Sequence, residues 1–231
     1  MSILTLFVVI PLLMLLGLWL SKNLNQVRGV MVVGATALLA LSIWLTVYFI
    51  DQRASGNTAN MLLTYSVTWF EPLKIAYSVG VDGISVVMIL LSAIIVFTGT
   101  FASWQLKPLT KEYFLWFVLL SIGVFGFFIS TDMFTMFMFY EVALIPMYLL
   151  IGVWGTGPKE YSAMKLTLML MGGSALLILG ILGIYFFSGA QTMNVADLAQ
   201  LHAMPKSIQN IFFPFVFIGF GVLGALFPFH T

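Results

Sequence analysis

The 231-residue sequence has no cysteine and very few charged residues. Without cysteine there is no disulfide bond and no thiolate-held zinc or iron–sulfur centre. Charged residues make up 7% of the chain, against about 25% in a soluble protein. The nine basic and eight acidic residues nearly balance, so the basic surface that nucleic-acid binding requires is absent. These absences exclude a soluble globular domain and a nucleic-acid-binding protein.

Long apolar runs fill most of the sequence, in which 61% of the residues are hydrophobic. A helix of about 20 apolar residues spans the hydrocarbon core of a bilayer. Charges and turn residues divide the runs into seven such helices. The predicted helices are 3–20, 28–50, 82–103, 113–130, 133–154, 165–187 and 210–229. The sequence therefore predicts an all-α polytopic membrane protein.

Basic residues are concentrated in alternate connections between these helices. The first, third and fifth connections hold six Lys and Arg residues, whereas the N-terminus and the even connections hold three. Short cytoplasmic loops retain positive charge. We therefore expect the N-terminus outside and the odd connections in the cytoplasm of a bacterial inner membrane.

Two connections carry patterns of their own. Residues 63–69 and 75–81 alternate apolar and polar side chains around a turn at 70–73, which predicts an extracytoplasmic β-hairpin; an irregular loop is the alternative. Because an isolated hairpin is marginal in water, we expect it to pack on a neighbouring subunit. In the sixth connection a short surface helix is predicted over 194–203, with Asn194 as its N-cap.

Glu141 lies well inside a predicted helix, unlike nearly every other ionisable residue. It is eight residues from Met133, about 12 Å along the helix. A carboxylate there costs about 2.5–3.5 kcal/mol on insertion scales, which implies a partner, a water-filled cavity or a protonated carboxyl. Pro146 lacks an N–H and so frees the carbonyl of Val142. We interpret Glu141 as a proton-relay site, with a structural acid bonded to a neighbouring helix as the alternative.

Three other ionisable residues lie at predicted helix starts. Asp132 and Asp82 each precede a helix, where a carboxylate caps the first turn and meets the helix dipole. Lys165 is expected to open the sixth span, where it either fixes topology or serves the cytoplasmic end of a proton path. At that position it would lie about 20 Å from Glu141.

The seventh predicted helix combines several glycines with Pro228. This combination is typical of a helix that breaks near mid-membrane around an ion site. His230 would lie at or beyond the break, where an imidazole can carry a proton near neutral pH. His202 lies in a polar connection and is expected to be a surface residue, so the two histidines do not predict haem ligation.

Four segments resemble the antiporter-like subunits of respiratory complex I, most closely the subunit M (chain 4) family of NADH–quinone oxidoreductase. They are Val81–Met88, Thr131–Tyr148, Trp154–Gly155 and Phe227–His230. The resemblance implies a fold of about fourteen helices with two inverted five-helix repeats, each with a broken helix. The chain would be its N-terminal half, ending inside the broken seventh helix.

The resemblance also implies an organisation for this half. Residues 1–231 would form a single transmembrane domain. Within it, residues 1–80 would supply two helices and the hairpin, and residues 81–231 an incomplete five-helix repeat.

In that family a mid-helix glutamate pairs with a lysine in the broken helix, five residues before the proline of a Pro-x-His motif. Glu141 matches the glutamate, but Leu223 stands at the lysine position. No Lys or Arg occurs between residues 207 and 231. The favourable charge that the lysine would supply to Glu141 is therefore missing, unless a lysine from another part of the protein replaces it.

The resemblance implies a proton-translocating membrane-arm subunit of an NADH–quinone oxidoreductase. The complex as a whole would be the enzyme, a translocase. Glu141, His230 and Lys165 would transfer protons with internal water, and the chain would hold no metal, cofactor or redox centre. FMN, iron–sulfur clusters and quinone would belong to partner subunits, which include further antiporter-like subunits. The alternatives are a subunit of a multisubunit cation/proton antiporter and a non-pumping structural membrane subunit.

Overall fold

The computed structural model describes residues 2–187, 189, 192–200 and 205–229. Within them the chain forms eight α-helices and one two-stranded sheet. In chain order the elements are α1 (Leu6–Leu20), α2 (Leu24–Ala54), β1 (Leu62–Phe70), β2 (Ile75–Val81), α3 (Gly83–Ala102), α4 (Thr110–Ile129), α5 (Met133–Trp154), α6 (Lys159–Phe187), α7 (Val195–Gln200) and α8 (Lys206–Leu223).

Seven of the described helices are long and apolar enough to cross a membrane, namely α1 to α6 and α8, with the 3-10 turn Ile3–Thr5 extending α1. Many large apolar side chains on them point away from the protein. Val33 is 71% exposed, Leu13 61% and Leu168 63%. Such exposure is unfavourable in water but costs nothing against lipid. The prediction of an all-α polytopic membrane protein with seven spans is confirmed.

Four helices, α2, α4, α6 and α8, begin earlier than the sequence predicts. α2 begins at Leu24 and α6 at Lys159, because their polar first turns belong to the helix and not to the loop. At the start of α2, Oε1 of Gln26 accepts the backbone N–H of Lys22 at 3.0 Å. Such capping satisfies an N–H group that has no partner within the helix.

α8 begins at Lys206 and ends at Leu223, so the predicted end at residue 229 is wrong. Two residues later, Ala225 has a left-handed backbone with φ of 50°. An L-residue in this region cannot continue a right-handed helix, and Pro228 has no N–H to donate to one. The helix therefore stops before Pro228, which agrees with the predicted break in the seventh span.

β1 and β2 pair as the predicted hairpin, which excludes the irregular-loop alternative. A 3-10 turn at Glu71–Leu73 connects them, followed by Lys74 in the left-handed region with φ of 49°. β2 is largely buried, whereas most of β1 is exposed and Trp69 is 59% exposed. The described residues therefore leave most of β1 uncovered.

The described residues group into two compact units. The first comprises residues 1–65 and 79–129 and contains α1 to α4. The second comprises residues 66–78 and 130–231 and contains α5 to α8. The single transmembrane domain with a division near residue 80 stays a prediction.

The first unit is held by aromatic and cationic contacts between helices distant in sequence. The rings of Phe7 and Phe125 lie 5.5 Å apart. The Arg28 guanidinium lies 4.9 Å from the centre of the Trp104 ring and donates to the Trp104 carbonyl at 2.7 Å. A cation over an aromatic face is attracted by the ring quadrupole, so Arg28 fastens α2 to the end of α3.

In the second unit, α6 and α8 approach each other through glycines. A Cβ atom added at Gly173 would lie 2.9 Å from Cβ of Val222, and one at Gly219 would lie 2.8 Å from Cβ of Leu177. Real Cβ atoms do not approach so closely. Small residues allow this backbone contact, which supplies much of the attraction between helices in lipid.

Candidate functional site

Glu141 lies on α5, inside the membrane-spanning segment. Its side chain is half-buried, and its Oε1 atom is shielded from solvent. No group among the described residues donates a hydrogen bond to this oxygen. Because a buried carboxylate without donors is costly, Oε1 needs a proton, a water molecule or a donor from outside the described residues.

Tyr140 and Pro146 shape the helix around Glu141. The buried Tyr140 hydroxyl donates to the Leu170 carbonyl of α6 at 3.2 Å, which fixes the two helices beside each other at this level. Pro146 is a buried residue inside α5. Since proline has no N–H, the carbonyl of Val142 lacks its helical donor. A free carbonyl adjacent to an acid suits an ordered water molecule.

An apolar cluster lies one turn beyond Glu141. It consists of Leu144 of α5, Leu170 of α6 and Val222 of α8, all buried. α6 therefore packs with both α5 and α8 at this level, and the end of α8 shares an apolar cluster with Leu144. Leu223, which the resemblance predicts to occupy the position of the family's lysine, directly follows Val222 and is 37% exposed.

Lys165 lies six residues inside α6, and not at its start as predicted. The side chain is half-buried. Five residues separate it from Leu170, about 7.5 Å along the axis, and Leu170 accepts the hydrogen bond of Tyr140. The expected axial separation of about 20 Å from Glu141 assumed that α6 begins at Lys165, whereas it begins at Lys159. The proton-transfer role of Lys165 stays a prediction.

The two histidines, His230 and His202, lie outside the described residues, so the role of His230 stays a prediction. Residues 201–203 of the predicted short helix also lie outside them. α7 covers the rest, and Oδ1 of Asn194 accepts the N–H of Ala196 at 2.9 Å, as expected of an N-cap. In the part of the chain that the structure describes, no three His, Asp or Glu side chains come together in a way that could hold a metal ion.

Asp82 and Asp132 cap helices, as predicted. Oδ1 of Asp82 accepts the N–H of Ser85 at 2.8 Å at the start of α3. Oδ1 of Asp132 accepts the N–H of Thr135 at 2.9 Å at the start of α5. Asp132 is 1% exposed, and this burial raises the pKa of its carboxyl above the ordinary value. The backbone N–H groups that donate to it oppose the rise without cancelling it.

The second oxygen of Asp132 joins α5 to the hairpin. Oδ2 accepts the N–H of Ala76 at 3.3 Å, and the Thr135 hydroxyl donates to the Ala76 carbonyl at 2.8 Å. Sequence reasoning missed this contact because capping employs one carboxylate oxygen and leaves the partner of the other unspecified.

A buried polar cluster adjoins Asp132. The Thr131 hydroxyl donates to Oγ of Ser78 at 3.0 Å, and the Thr131 N–H donates to the Ser78 carbonyl at 2.9 Å. Asn194 donates to the same Oγ at 3.4 Å, and the N–H of Val195 donates to the Thr131 carbonyl at 2.9 Å. The start of α5 is thus bonded both to the hairpin and to the segment before α7.

The C-terminal part of the chain matches a known family. Residues 130–231, which include Glu141, match the family described as "NADH:quinone oxidoreductase/Mrp antiporter, TM". NADH-quinone oxidoreductase subunit M of Rickettsia prowazekii is 28% identical over 235 residues, which cover 100% of this chain and 47% of that protein. The chain spans between 31% and 47% of the length of its most similar curated relatives.

Solved structures share the fold. A chain of respiratory complex I from Thermus thermophilus, solved with bound NADH, matches with a TM-score of 0.84 and 21% identity over 98% of this chain and 45% of that one. A chain of the Mrp complex from Dietzia sp. DQ12-45-1b matches with a TM-score of 0.79 and 21% identity over 98% of this chain and 41% of that one. At these identities the likeness shows the fold alone.

The sequence, the fold and the relatives all point to the antiporter-like membrane subunits. The acid inside α5 lies within the matched range, and the seven spans follow the antiporter-like fold. Residues 130–231 match this family's domain, and the curated relatives of the chain include subunit M and chain 4 of NADH-quinone oxidoreductase.

Proposed function

We propose that this chain works as a proton-translocating membrane-arm subunit of an NADH-quinone oxidoreductase. The observation that carries the proposal is Glu141, a carboxyl group inside α5 whose Oε1 is buried without a donor among the described residues. Ionisable groups inside a membrane are costly and mark ion or proton pathways. The names of the relatives and the fold of a complex I chain support the same assignment.

In this proposal Glu141 binds a proton on a carboxylate oxygen and releases it to water held at the free carbonyl of Val142. Lys165 and His230 are the further proton-transfer groups that connect Glu141 with the cytoplasm and with the membrane interior. Lys165 suits this role because it lies within about five helical residues of the Tyr140–Leu170 bond. The energy for transfer would reach Glu141 as a change in the hydration of its surroundings.

The proposed redox chemistry takes place in partner subunits. FMN, iron–sulfur clusters and quinone belong to those subunits, and this chain holds no redox centre. Its neighbours in the membrane arm include further antiporter-like subunits. The exposed β1, with Trp69 at 59% exposure, suits packing of the hairpin on such a neighbour.

The proposed location is a bacterial inner membrane with the N-terminus outside. The connections before α2, α4 and α6 then lie in the cytoplasm, which the distribution of Lys and Arg supports. The hairpin lies on the extracytoplasmic side.

The test is Glu141→Gln in the complete complex, with NADH-driven proton uptake into inverted vesicles and quinone reduction as readouts. We expect proton uptake to fall toward background, because the amide cannot exchange a proton. The control is Glu160→Gln, an exposed acid in the first turn of α6, which should leave both rates unchanged. If both rates in Glu141→Gln equal those of wild type, the relay role is wrong.

A non-pumping structural role makes a different prediction. In that case Glu141→Ala would prevent assembly of the complex, whereas Glu141→Gln would assemble and pump normally. A native gel of the solubilised membranes, run beside the uptake assay, separates the two outcomes.

A second candidate function is that of a subunit in a multisubunit cation/proton antiporter. It is favoured by the family description, which names both kinds of complex, and by the TM-score of 0.79 to an Mrp chain. The curated relatives support it less than the main proposal. Purification through an affinity tag distinguishes the two, because flavin-containing and iron–sulfur subunits accompany the chain only in the oxidoreductase.

A further inference from the structure

An apolar groove of about 570 Å³ runs between α1 and α2 in the first unit. It extends along α1 from Ile10 to Gly17 and along α2 from Gln26 to Ala37. The groove is open to its surroundings, since Leu13 in its lining is 61% exposed. In a membrane it therefore faces lipid or a neighbouring protein.

The floor of the groove is built from small residues. A Cβ atom at Gly17 would lie 3.2 Å from the Val30 side chain, and Met14 packs directly on Gly34. At Gly29, by contrast, an added Cβ would meet nothing within 4 Å. The space in front of Gly29 is therefore empty of protein atoms and available to an occupant.

The length of the groove corresponds to one leaflet. Gln26 and Ala37 are eleven residues apart, or about 16 Å, and half of the hydrocarbon core is about 15 Å. α2 continues to Ala54, a further seventeen residues beyond the end of the lining. A partner helix would use the full length of α2, whereas an acyl chain reaches from the interface to mid-membrane. The length therefore favours an acyl chain.

The interfacial end of the groove is positively charged. Gln26 accepts the backbone N–H of Lys22 at 3.0 Å, so the exposed Lys22 lies beside this end. The Lys111 ammonium donates to the Ser21 carbonyl at 2.8 Å, in the same connection. The residues that line the groove are all uncharged. The Lys111 ammonium also donates to the Trp19 carbonyl at 3.1 Å, which leaves one of its three N–H groups for a ligand. The combination of an apolar slot and two lysines at its end complements an anionic phospholipid.

We propose that α1 and α2 bind one anionic phospholipid, with an acyl chain in the groove and its phosphate group against Lys22 and Lys111. The site depends on the fold of the first unit and not on Glu141, so it holds for either candidate function. A lipid with a zwitterionic headgroup fits the same groove but gains less from the two lysines.

Native mass spectrometry of the purified protein tests the proposal, with phosphatidylglycerol and phosphatidylcholine of the same acyl chains as probes. We expect wild type to retain one phosphatidylglycerol more tightly than phosphatidylcholine. Lys22→Gln should reduce the preference about fivefold, because a lysine near a membrane surface contributes about 1 kcal/mol. The control Lys206→Gln, an exposed lysine at the start of α8, should leave the preference unchanged.

Gly29→Phe fills the groove without displacing protein atoms, since the space there is open. We expect it to weaken phosphatidylglycerol binding by roughly tenfold, because the ring takes the place of part of the acyl chain and removes its van der Waals contacts with the groove. Its matched control is Gly172→Phe on α6, where an added Cβ also meets nothing within 4 Å. This control should bind lipid as wild type does and shows whether an added ring disturbs folding.

Three results would overturn the proposal. Equal retention of the two lipids by wild type excludes recognition of the anionic headgroup. Equal loss in Gly29→Phe and Gly172→Phe excludes the groove as the site. A dimer that Gly29→Phe dissociates would show that a second copy of the chain occupies the groove instead.

Discussion

The Tyr140 hydroxyl donates to the Leu170 carbonyl at 3.2 Å and thereby joins α5 to α6 one residue before Glu141. The bond sets the relative height of the two helices at the candidate proton site. The geometry of the site therefore depends on a residue that itself carries no charge.

Tyr140→Phe removes this hydrogen bond and keeps the ring. We expect the free energy of unfolding to fall by about 0.6 kcal/mol, the average for an interhelical hydrogen bond in a membrane. Unfolding in increasing SDS measures it. Tyr148→Phe, at a side chain that is 40% exposed, is the control and should change little. An equal loss in both variants would contradict a specific role for the bond.

Gly173→Ala should push α6 and α8 apart, because the new Cβ would lie 2.9 Å from Cβ of Val222. We expect a loss of about 1–3 kcal/mol in the free energy of unfolding, as in other overpacked contacts. The neighbouring Gly172→Ala meets nothing within 4 Å. It should be neutral or slightly stabilising, because alanine favours a helix by up to about 1 kcal/mol. Similar losses at both positions would argue against close packing at Gly173.

Asp132→Asn should change how stability depends on pH. Burial raises the pKa of Asp132 in the folded protein. The stabilisation from its protonated form is therefore fully present below the unfolded pKa of about 3.9 and is lost as pH rises through the folded pKa. We expect the Tm of wild type, relative to that of Asp132→Asn, to be highest near pH 4. This advantage of wild type should shrink as the pH rises.

The asparagine still offers Oδ1 to the N–H of Thr135 but places an amide NH2 opposite the N–H of Ala76. This adds a loss that does not vary with pH, so the pH dependence of the difference is the informative quantity. A Tm difference that stays constant from pH 4 to pH 7 would contradict the raised pKa.

Leu223→Lys introduces a cation at the family's lysine position. Val222 belongs to the same apolar cluster as Leu144, which lies one turn from Glu141. Leu223 is 37% exposed, so we expect the variant to fold. Its stability should depend on Glu141. In a double-mutant cycle with Glu141→Gln, we expect a coupling of about 1 kcal/mol, within the range for interacting residues. A coupling near zero would mean that position 223 does not face the acid.

Much of this architecture follows from local patterns. Hydropathy locates the seven spans, period-two alternation locates the hairpin, and Asp82 and Asp132 stand where capping requires a carboxylate. These features depend on residues close together in sequence. The acid at Glu141 is recognisable because its position contradicts the usual distribution of charge in a membrane helix.

The remaining features depend on tertiary contacts that no local pattern encodes. Arg28 reaches Trp104 across 76 residues, and Asp132 reaches Ala76 across 56. The end of α8 was misplaced because its apolar run continues beyond Leu223, whereas the backbone turns left-handed at Ala225. Hydropathy measures the preference of side chains for lipid. The side chains after Leu223 are as apolar as those before it, so hydropathy does not reveal the end of the helix.

The hydrogen bonds of Ser78 also constrain when the hairpin can complete its structure during synthesis. Its partners Thr131 and Asn194 lie 53 and 116 residues later in the chain. At about 5–20 residues per second, Ser78 precedes Asn194 by roughly 6–23 seconds. A lone two-stranded ribbon is marginal over that interval. The hairpin is thus made early but is completed late, after α5 and α6 have been synthesised.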